Sequence, residues 1–299
     1  DLPGLIYCSI SGYGQTGPWR NRPAFAPTVQ AETGHTAIQM DHFGDALAKP
    51  MTDSGSHADV YTGLQGCIAT LAALQQRERT GQGQHVDVAM AATMLSVNER
   101  AGALLSGVDT AGEPMALSAP DSHIFEMSDG RLITIAASPI YTPMFARYAA
   151  MMRRNDLLTD PRFASAPLRR ENLDALLAEI RAWILTFTDL DQLQTQVSES
   201  NLAIGVVRTT QDLAESEWAE DWGAIVQVDN RGGETLSMPG APWRFSGADL
   251  PEPGKPSFQG EDNAEILSTQ GLSAEQIDDL RARKIILSRR APAGAFDDF

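Results

Sequence analysis

The spacing of apolar residues predicts a long helix in the first third of the chain, bounded by two strands. Apolar positions recur every three or four residues from Val60, which places them on one helical stripe expected to face a core. The stripe consists of Val60, Leu64, Cys67, Ile68, Leu71 and Leu74. We expect the helix to extend to Arg79 and to end at Gly81, after cations in its last turn. LIYCSI before it and QHVDVAM after it are typical of strands, so the order predicts an α/β layer with parallel pairing.

A different pattern begins near Ser118. HIFEM and LITIAA flank the turn SDGR and predict a β-hairpin, and RRENLDALLAEIRAWILTF then carries apolar residues at helical spacing. TDLDQLQTQV predicts a shorter helix capped by Thr188, and NLAIGVVRT predicts a short strand. Ser273 and Gln276 form a predicted capping box that starts a final helix.

These patterns predict two folded domains and their connections. The strand LIYCSI begins within four residues of the first residue and has no preceding element to pair with, which is typical of the middle of a domain. The predicted parts are a large α/β domain at 1–105, a linker at 106–117, a small α+β domain at 118–210, an extended Gly- and Pro-rich connection at 211–260, and a C-terminal segment at 261–299.

Composition narrows the classes of function. The 299 residues carry a formal net charge of −16, which argues against nucleic acid as a partner. No stretch reaches the roughly 18 apolar residues of a membrane span, and the first residues lack signal-peptide features, so we expect a cytoplasmic protein. Cys8 and Cys67 lie in apolar surroundings and are expected to be buried, without a disulfide framework or cysteine-rich metal site.

Asp59 is the main candidate for a catalytic residue. It stands directly before the apolar helix, where it could be a helix cap or an ionised carboxylate that acts as a nucleophile. A hydrolase triad of Ser56, His57 and Asp59 is disfavoured because near neighbours in sequence cannot easily align around one substrate. A metal site of His57, Asp59 and Asp53 matches no spacing with a known mechanism, so no metal is expected.

Three stretches together resemble the class III CoA-transferases, the CaiB/BaiF family. They are LIYCSISGYGQTGPW, ADVYTGLQGCIATLAALQQRERTGQGQHVDVAM, and GAPWRFS followed by GLSAEQIDDLRARKII. In the middle motif Asp59, Thr62, Gly63 and residues 80–84 fill the family's spacing. The resemblance implies that Asp59 is the catalytic nucleophile. It also implies a Rossmann-like large domain that is N-terminally incomplete here. The C-terminal helix is expected to return to this domain after the small domain, and two chains are expected to form an interlocked homodimer.

The activity implied by the resemblance is transfer of CoA from an acyl-CoA to a carboxylic acid. Asp59 would form a mixed anhydride and then an aspartyl-CoA thioester, so CoA is a substrate and no tightly bound cofactor is expected. Backbone N–H groups should stabilise the oxyanion. The glycine-rich loop is the best local source of them, although a tight turn after a strand is an equal alternative. This loop, the predicted CoA-binding segment, consists of Ser11, Gly12, Tyr13, Gly14 and Gln15.

Two alternatives to a transferase stay open. One is an α-methylacyl-CoA racemase, an activity that the family also contains. Such racemases use a His base at the position that matches Phe25 here, and phenylalanine cannot take a proton. The Asp that usually stands beside this position is Ala26 in this chain, and the Phe25 position favours a transferase. The other alternative is a non-catalytic, truncated chain that needs a partner. Family members carry roughly a hundred residues before LIYCSI, with most contacts to the CoA nucleotide, so we expect this chain alone to bind CoA weakly.

Overall fold

The computed structural model describes residues 2–43, 55–98, 101–107, 123–136, 138–251, 254 and 256–288. Contacts between residues divide the chain into two compact units, Asp1–Asp121 and Ser122–Phe299. Residues 108–117 of the predicted linker lie outside the described residues. The first unit contains strands β1 (Tyr7–Ser11) and β2 (His85–Ala89) and helices α1 (Ala26–Glu32), α2 (His35–Phe43), α3 (His57–Thr80), α4 (Met90–Ser96) and α5 (Ala101–Ser106).

The two strands of the first unit pair in parallel, as the sequence predicts. Their register runs from Tyr7 opposite His85 to Ser11 opposite Ala89. The long helix α3 connects them and packs on the sheet through small residues. A β-carbon built on Gly66 would lie 2.8 Å from Ile10 Cδ1, so this glycine allows the helix to approach β1 closely.

The extent of α3 confirms the predicted helix, but its buried face does not. The helix ends at Gly81, which has a φ of 70° and donates its N–H to Arg77 O at 2.8 Å, because the left-handed conformation suits glycine. The buried residues are Ala58, Thr62, Gly66 and Ala73.

Five of the six residues in the predicted apolar stripe of α3 are exposed and Leu74 is half-buried, so the prediction that the stripe faces a core is wrong. Val60, Leu64, Ile68 and Leu71 have between 54% and 60% of their surface exposed. The reason is steric, since a helix that approaches a sheet through Gly and Ala turns its larger side chains away from it. The expected burial of both cysteines is also wrong, because Cys8 is half-buried and Cys67, which lies on this face, is exposed.

The second unit contains a three-stranded antiparallel sheet, a hairpin, eight α-helices and two short 3₁₀ helices among the described residues. The sheet has the order β3–β4–β5, which confirms the predicted hairpin and the short strand. The strands are β3 (Ile124–Glu126), β4 (Leu132–Ala136), β5 (Ala203–Val206), β6 (Ile225–Asp229) and β7 (Thr235–Pro239). The helices are α6 (Thr142–Met151), α7 (Ala166–Glu171), α8 (Leu173–Ile184), α9 (Leu190–Glu199), α10 (Thr210–Ala214), α11 (Glu217–Trp222), α12 (Asn263–Thr269) and α13 (Ala274–Ala282).

Helix starts in the second unit partly follow the predictions. Ser273 caps α13 through the predicted capping box with Gln276. Thr188 is not the cap of α9; Asp189 is, and its carboxylate accepts the N–H of Asp191 at 2.9 Å.

Residues 211–239, predicted as part of an extended connection, instead form most of α10, all of α11 and the antiparallel hairpin β6–β7.

The core of the second unit lies between its three-stranded sheet and α6, α8 and α9. Its apolar members include Phe125, Ile133, Ile180 and Leu193. Arg169 of α7 is also in the interior, 2% exposed, and donates to the carbonyls of Ile140 and Phe163 and to the hydroxyl of Thr142, at 2.6–2.7 Å. Burial lowers the pKa of Arg169. These hydrogen bonds offset the cost of removing its charge from water.

Candidate active site

Asp59 lies in the first turn of α3 and is exposed. Ser56 is the residue that precedes the helix, and Asp59 is the third residue within it. The interpretation of Asp59 as the helix cap is therefore wrong, because the helix begins at His57, three residues before Val60, where its apolar pattern starts. The first turn still favours a negative charge, since its N–H groups and the helix dipole present a partial positive charge there.

The glycine-rich loop follows β1 and is fixed along its length. Gly12 O accepts the N–H of Ala91 at 3.0 Å, and a β-carbon on Gly12 would lie 2.3 Å from Ala24 Cβ. The N–H of Gly14, at a φ of 93°, donates to Ser11 Oγ at 3.0 Å. The loop therefore has a defined path, in which Gly12 allows close packing and Gly14 a positive φ.

Two carboxylates from other elements hold the remaining loop residues. The Tyr13 hydroxyl donates to Glu32 Oε2 of α1 at 2.9 Å, and Glu32 also pairs with Arg22. The N–H of Gln15 donates to Asp87 Oδ2 of β2 at 2.8 Å. Burial, followed by the hydrogen bond and charge of Glu32, raises the pKa of Tyr13, so its hydroxyl remains a donor at neutral pH.

One small cluster joins the segments that contain the predicted site residues. Tyr13 of the loop packs against this cluster. The buried members are Ala26, Val29, Ala58, Met90 and Met94. Ala26 follows Phe25, and Ala58 precedes Asp59, so the loop, the start of α1 and the start of α3 meet at one place. A hydrogen bond of 3.2 Å from the N–H of Ala58 to Gln30 Oε1 adds a second link between α1 and α3.

Phe25 and Ala26 have opposite environments. Phe25 precedes α1 and is 74% exposed, with its backbone N–H donating to Thr28 Oγ1 at 3.1 Å. Ala26 is buried in the apolar cluster, where a methyl group fits and a carboxylate would lose its hydration. Phe25 therefore offers an aromatic ring, and no proton acceptor, at the start of α1.

His57, which belongs to both the disfavoured triad and the disfavoured metal site, contacts other aromatic rings. The His57 ring stacks on Tyr61 with centroids 5.7 Å apart, and it lies 5.5 Å from the His35 ring. Asp53 lies outside the described residues. Within the described ranges, no three His, Cys, Asp or Glu side chains form a group that could hold a metal ion.

Sequence reasoning missed Asp87 and Glu32. Their partners are 72 and 19 residues away in the chain, so no local pattern pairs them. For Asp87 a signal existed, because a carboxylate within a short strand is unfavourable and calls for an explanation.

Comparisons with known proteins agree on one family. The model described as CoA-transferase family III matches residues 2–263. Succinyl-CoA–D-citramalate CoA-transferase from Chloroflexus aurantiacus is 31% identical, over 95% of this chain and 70% of the relative. (R)-2-hydroxy-4-methylpentanoate CoA-transferase from Clostridioides difficile is 25% identical with the same coverage.

Solved structures agree with the sequence relatives. A CaiB/BaiF family protein from Brucella suis is 29% identical and superposes with a TM-score of 0.65, covering 89% of this chain and 68% of that one. A protein from M. tuberculosis, 24% identical with a TM-score of 0.68, shares the fold. Among the described helices, none has both the length and the apolar character that crossing a membrane requires.

Proposed function

Because this chain belongs to CoA-transferase family III, we propose that Asp59 is the nucleophile of a CoA transfer between an acyl-CoA and a carboxylic acid. The observation that carries the proposal is the position of Asp59: an exposed carboxylate in the first turn of a 24-residue helix, next to the cluster that joins α1 and the glycine-rich loop. A carboxylate at this position can act as a covalent nucleophile towards a thioester.

The first half of the proposed reaction moves CoA onto the protein. An Asp59 carboxylate oxygen bonds to the thioester carbonyl carbon, the C–S bond breaks, and CoA leaves as a thiolate. The mixed anhydride then reacts with this thiolate at the Asp59 carbonyl carbon. The new C–S bond gives aspartyl-CoA, and the donor acid leaves as a carboxylate.

The second half runs the same steps in reverse with the acceptor acid. Its carboxylate attacks aspartyl-CoA to give a new anhydride and release the thiolate. The thiolate then attacks the acyl carbonyl of the acceptor, which leaves as its CoA thioester and regenerates the Asp59 carboxylate. Every intermediate is an activated acyl group, so the free energy of the thioester is retained.

Each attack creates an oxyanion that needs a hydrogen-bond donor. In the glycine-rich loop the N–H groups of Gly14 and Gln15 already donate, to Ser11 Oγ and to Asp87. We therefore assign the oxyanion to the N–H of Gly12 or Tyr13. In this assignment the predicted CoA-binding loop Ser11–Gln15 is part of the site. Its Gly14 and Gln15 N–H groups hold the loop in place, and its Gly12 or Tyr13 N–H group binds the oxyanion.

The proposed assembly is a homodimer. Anhydrides and thioesters of aspartate hydrolyse, so the reacting site must exclude water, yet Asp59 is exposed in the single chain. The exposed apolar stripe of α3 begins one residue after Asp59, at Val60. A second copy that covers this stripe would bury both the apolar surface and the rim of the site. The interlocked form implied by the family resemblance belongs to the same proposal.

Mass spectrometry of the chain after incubation with succinyl-CoA tests the proposal. The relative from Chloroflexus aurantiacus uses this thioester by name, so it is the donor to try first. We expect a CoA or succinyl adduct on the peptide that contains Asp59. Asp59→Asn should abolish the adduct and lower transfer at least about 1,000-fold, because an amide is a poor nucleophile.

The matched control is Asp174→Asn, which removes a carboxylate from the first turn of α8 in the second unit. It should leave both adduct and transfer unchanged. Full transfer by Asp59→Asn, or an adduct on another peptide, would contradict the assignment of Asp59.

A further inference from the structure

Asp87 has a contact that its place in a strand does not explain. Strand β2 has the sequence HVDVA, and aspartate is depleted in strands because it packs poorly on a pleated surface. Its side chain is exposed. One of its oxygens nevertheless accepts the backbone N–H of Gln15 at 2.8 Å, from a loop 72 residues earlier in the chain.

The loop passes closely over this carboxylate. A β-carbon built on Gly14 would lie 3.6 Å from the same Asp87 oxygen. Gly14 has a positive φ of 93°, and the Asp87 contact fixes the residue that follows it. The N–H of Ala91 in α4 donates to Gly12 O at 3.0 Å, so residues on β2 and α4 fix both ends of the segment 12–15.

Stability alone is a weak reason for this contact. A hydrogen bond at an exposed carboxylate adds little to the free energy of folding, since water competes for both partners. Its larger effect is on direction, because the carboxylate determines which way the N–H groups of the loop point. The Tyr13 N–H lies between the two fixed ends, and the Gly12 N–H belongs to the residue at the first of them.

We infer that Asp87 is a positioning residue for the transfer reaction, which holds the backbone of the loop Ser11–Gln15 in the orientation that the oxyanion requires. The inference rests on the proposed function of this site. Asp87 does not contact the reacting atoms; it acts through the Gln15 N–H. Loss of its carboxylate should leave the loop present but misdirected.

The test compares Asp87→Ala with Asp87→Asn. We expect Asp87→Ala to lower kcat about 10- to 100-fold, because a small misplacement of groups that act in the transition state has effects of this size. KM for succinyl-CoA should change by less than about threefold, since the lost interaction operates in the transition state. Asp87→Asn should restore most of kcat, because its amide oxygen can accept the same N–H.

Amide hydrogen exchange at Gln15 gives a readout that does not depend on activity. Exchange should be faster in Asp87→Ala than in the wild type and in Asp87→Asn. The control is Asp212→Ala, which removes a comparable acceptor, the carboxylate that binds the Thr209 N–H at 2.7 Å in the second unit. It should change neither kcat nor Gln15 exchange.

Unchanged kcat in Asp87→Ala would overturn the inference, as would an Asp87→Asn variant that loses as much kcat as the alanine variant. A wild-type chain that forms no Asp59 adduct would refute the proposed function instead. Gln15 exchange then decides the inferred contact by itself, and equal exchange in wild type and Asp87→Ala would overturn it.

Discussion

At the scale of single residues, Phe25 separates CoA transfer from α-proton chemistry. A racemase needs a base beside the α-carbon, and an exposed phenylalanine ring at the start of α1 cannot accept a proton. We therefore predict that a chiral 2-methylacyl-CoA, incubated with the protein in deuterated water, gains little α-deuterium while CoA transfer proceeds. Mass spectrometry of the recovered thioester measures the exchange.

The control for that measurement is Phe25→His, which introduces a base at this position and should raise deuterium incorporation above the wild-type level. Rapid exchange by the wild type would contradict the prediction. It would indicate another base, and His57 and His35, whose rings are in contact, would be the first to substitute.

The residues of the candidate site differ in whether the neighbouring sequence indicates their role. Asp59 and the loop Ser11–Gln15 were singled out as candidates because their motifs are continuous in the sequence and match a family's spacing. Asp87 and Glu32 were not, because their roles depend on contacts with Gln15 and Tyr13 that only folding creates. The cap of α9 shows a smaller limit: Thr188 and Asp189 are both good capping residues, and the sequence does not choose between them.

At the scale of elements, α3 contains a glycine that its packing does not require. Gly63 lies one turn after Asp59, and residues four apart share a side of a helix. A β-carbon built on Gly63 meets no atom within 4 Å, in contrast to Gly66, which faces Ile10. Glycine inside a helix costs roughly 0.5–1 kcal/mol relative to alanine, so we attribute Gly63 to space needed beside Asp59.

We predict that Gly63→Ala raises the free energy of unfolding by about 0.5–1 kcal/mol and lowers kcat/KM for CoA transfer. Urea unfolding and steady-state kinetics measure the two effects. Gly102→Ala in α5 is the control, because its added methyl group also meets no atom within 4 Å and its helix lies outside the proposed site. A Gly63→Ala variant that is more stable and fully active would show that substrate does not use this space.

The same helix shows what an apolar period determines. The spacing from Val60 correctly predicted a helix and approximately where it ends, because both depend on local sequence. It did not predict which face packs on the sheet. The buried face consists of Ala58, Thr62, Gly66 and Ala73. Gly66 meets β1 and Ala58 meets residues of α1 and α4, since small residues allow close approach, whereas the larger residues are turned outward.

At the scale of the whole molecule, the exposed stripe of α3 lies on an uncharged segment, whereas the protein as a whole is strongly acidic. A net charge of −16 keeps chains apart, yet residues 60–76 carry no charged side chain. From Val60 to Leu71 the stripe extends about 16 Å along the helix. The exposed side chains of the stripe cannot supply the roughly 800 Å² per partner of a typical stable interface, so the stripe would form only the centre of a larger contact.

We predict that the wild-type chain sediments as a dimer, and that the double substitution Leu64→Gln and Ile68→Gln weakens the dimer at least about 100-fold. Burial of a leucine or isoleucine contributes about 1.5–3 kcal/mol, and each 1.4 kcal/mol changes a dissociation constant tenfold. Because these side chains are exposed in the single chain, the substitutions should leave its unfolding free energy nearly unchanged. Ile266→Gln with Ile285→Gln is the matched control, since both residues are equally exposed in the second unit. A monomeric wild type, or a double variant that dimerises as tightly as the wild type, would show that the second copy does not bind this face of α3.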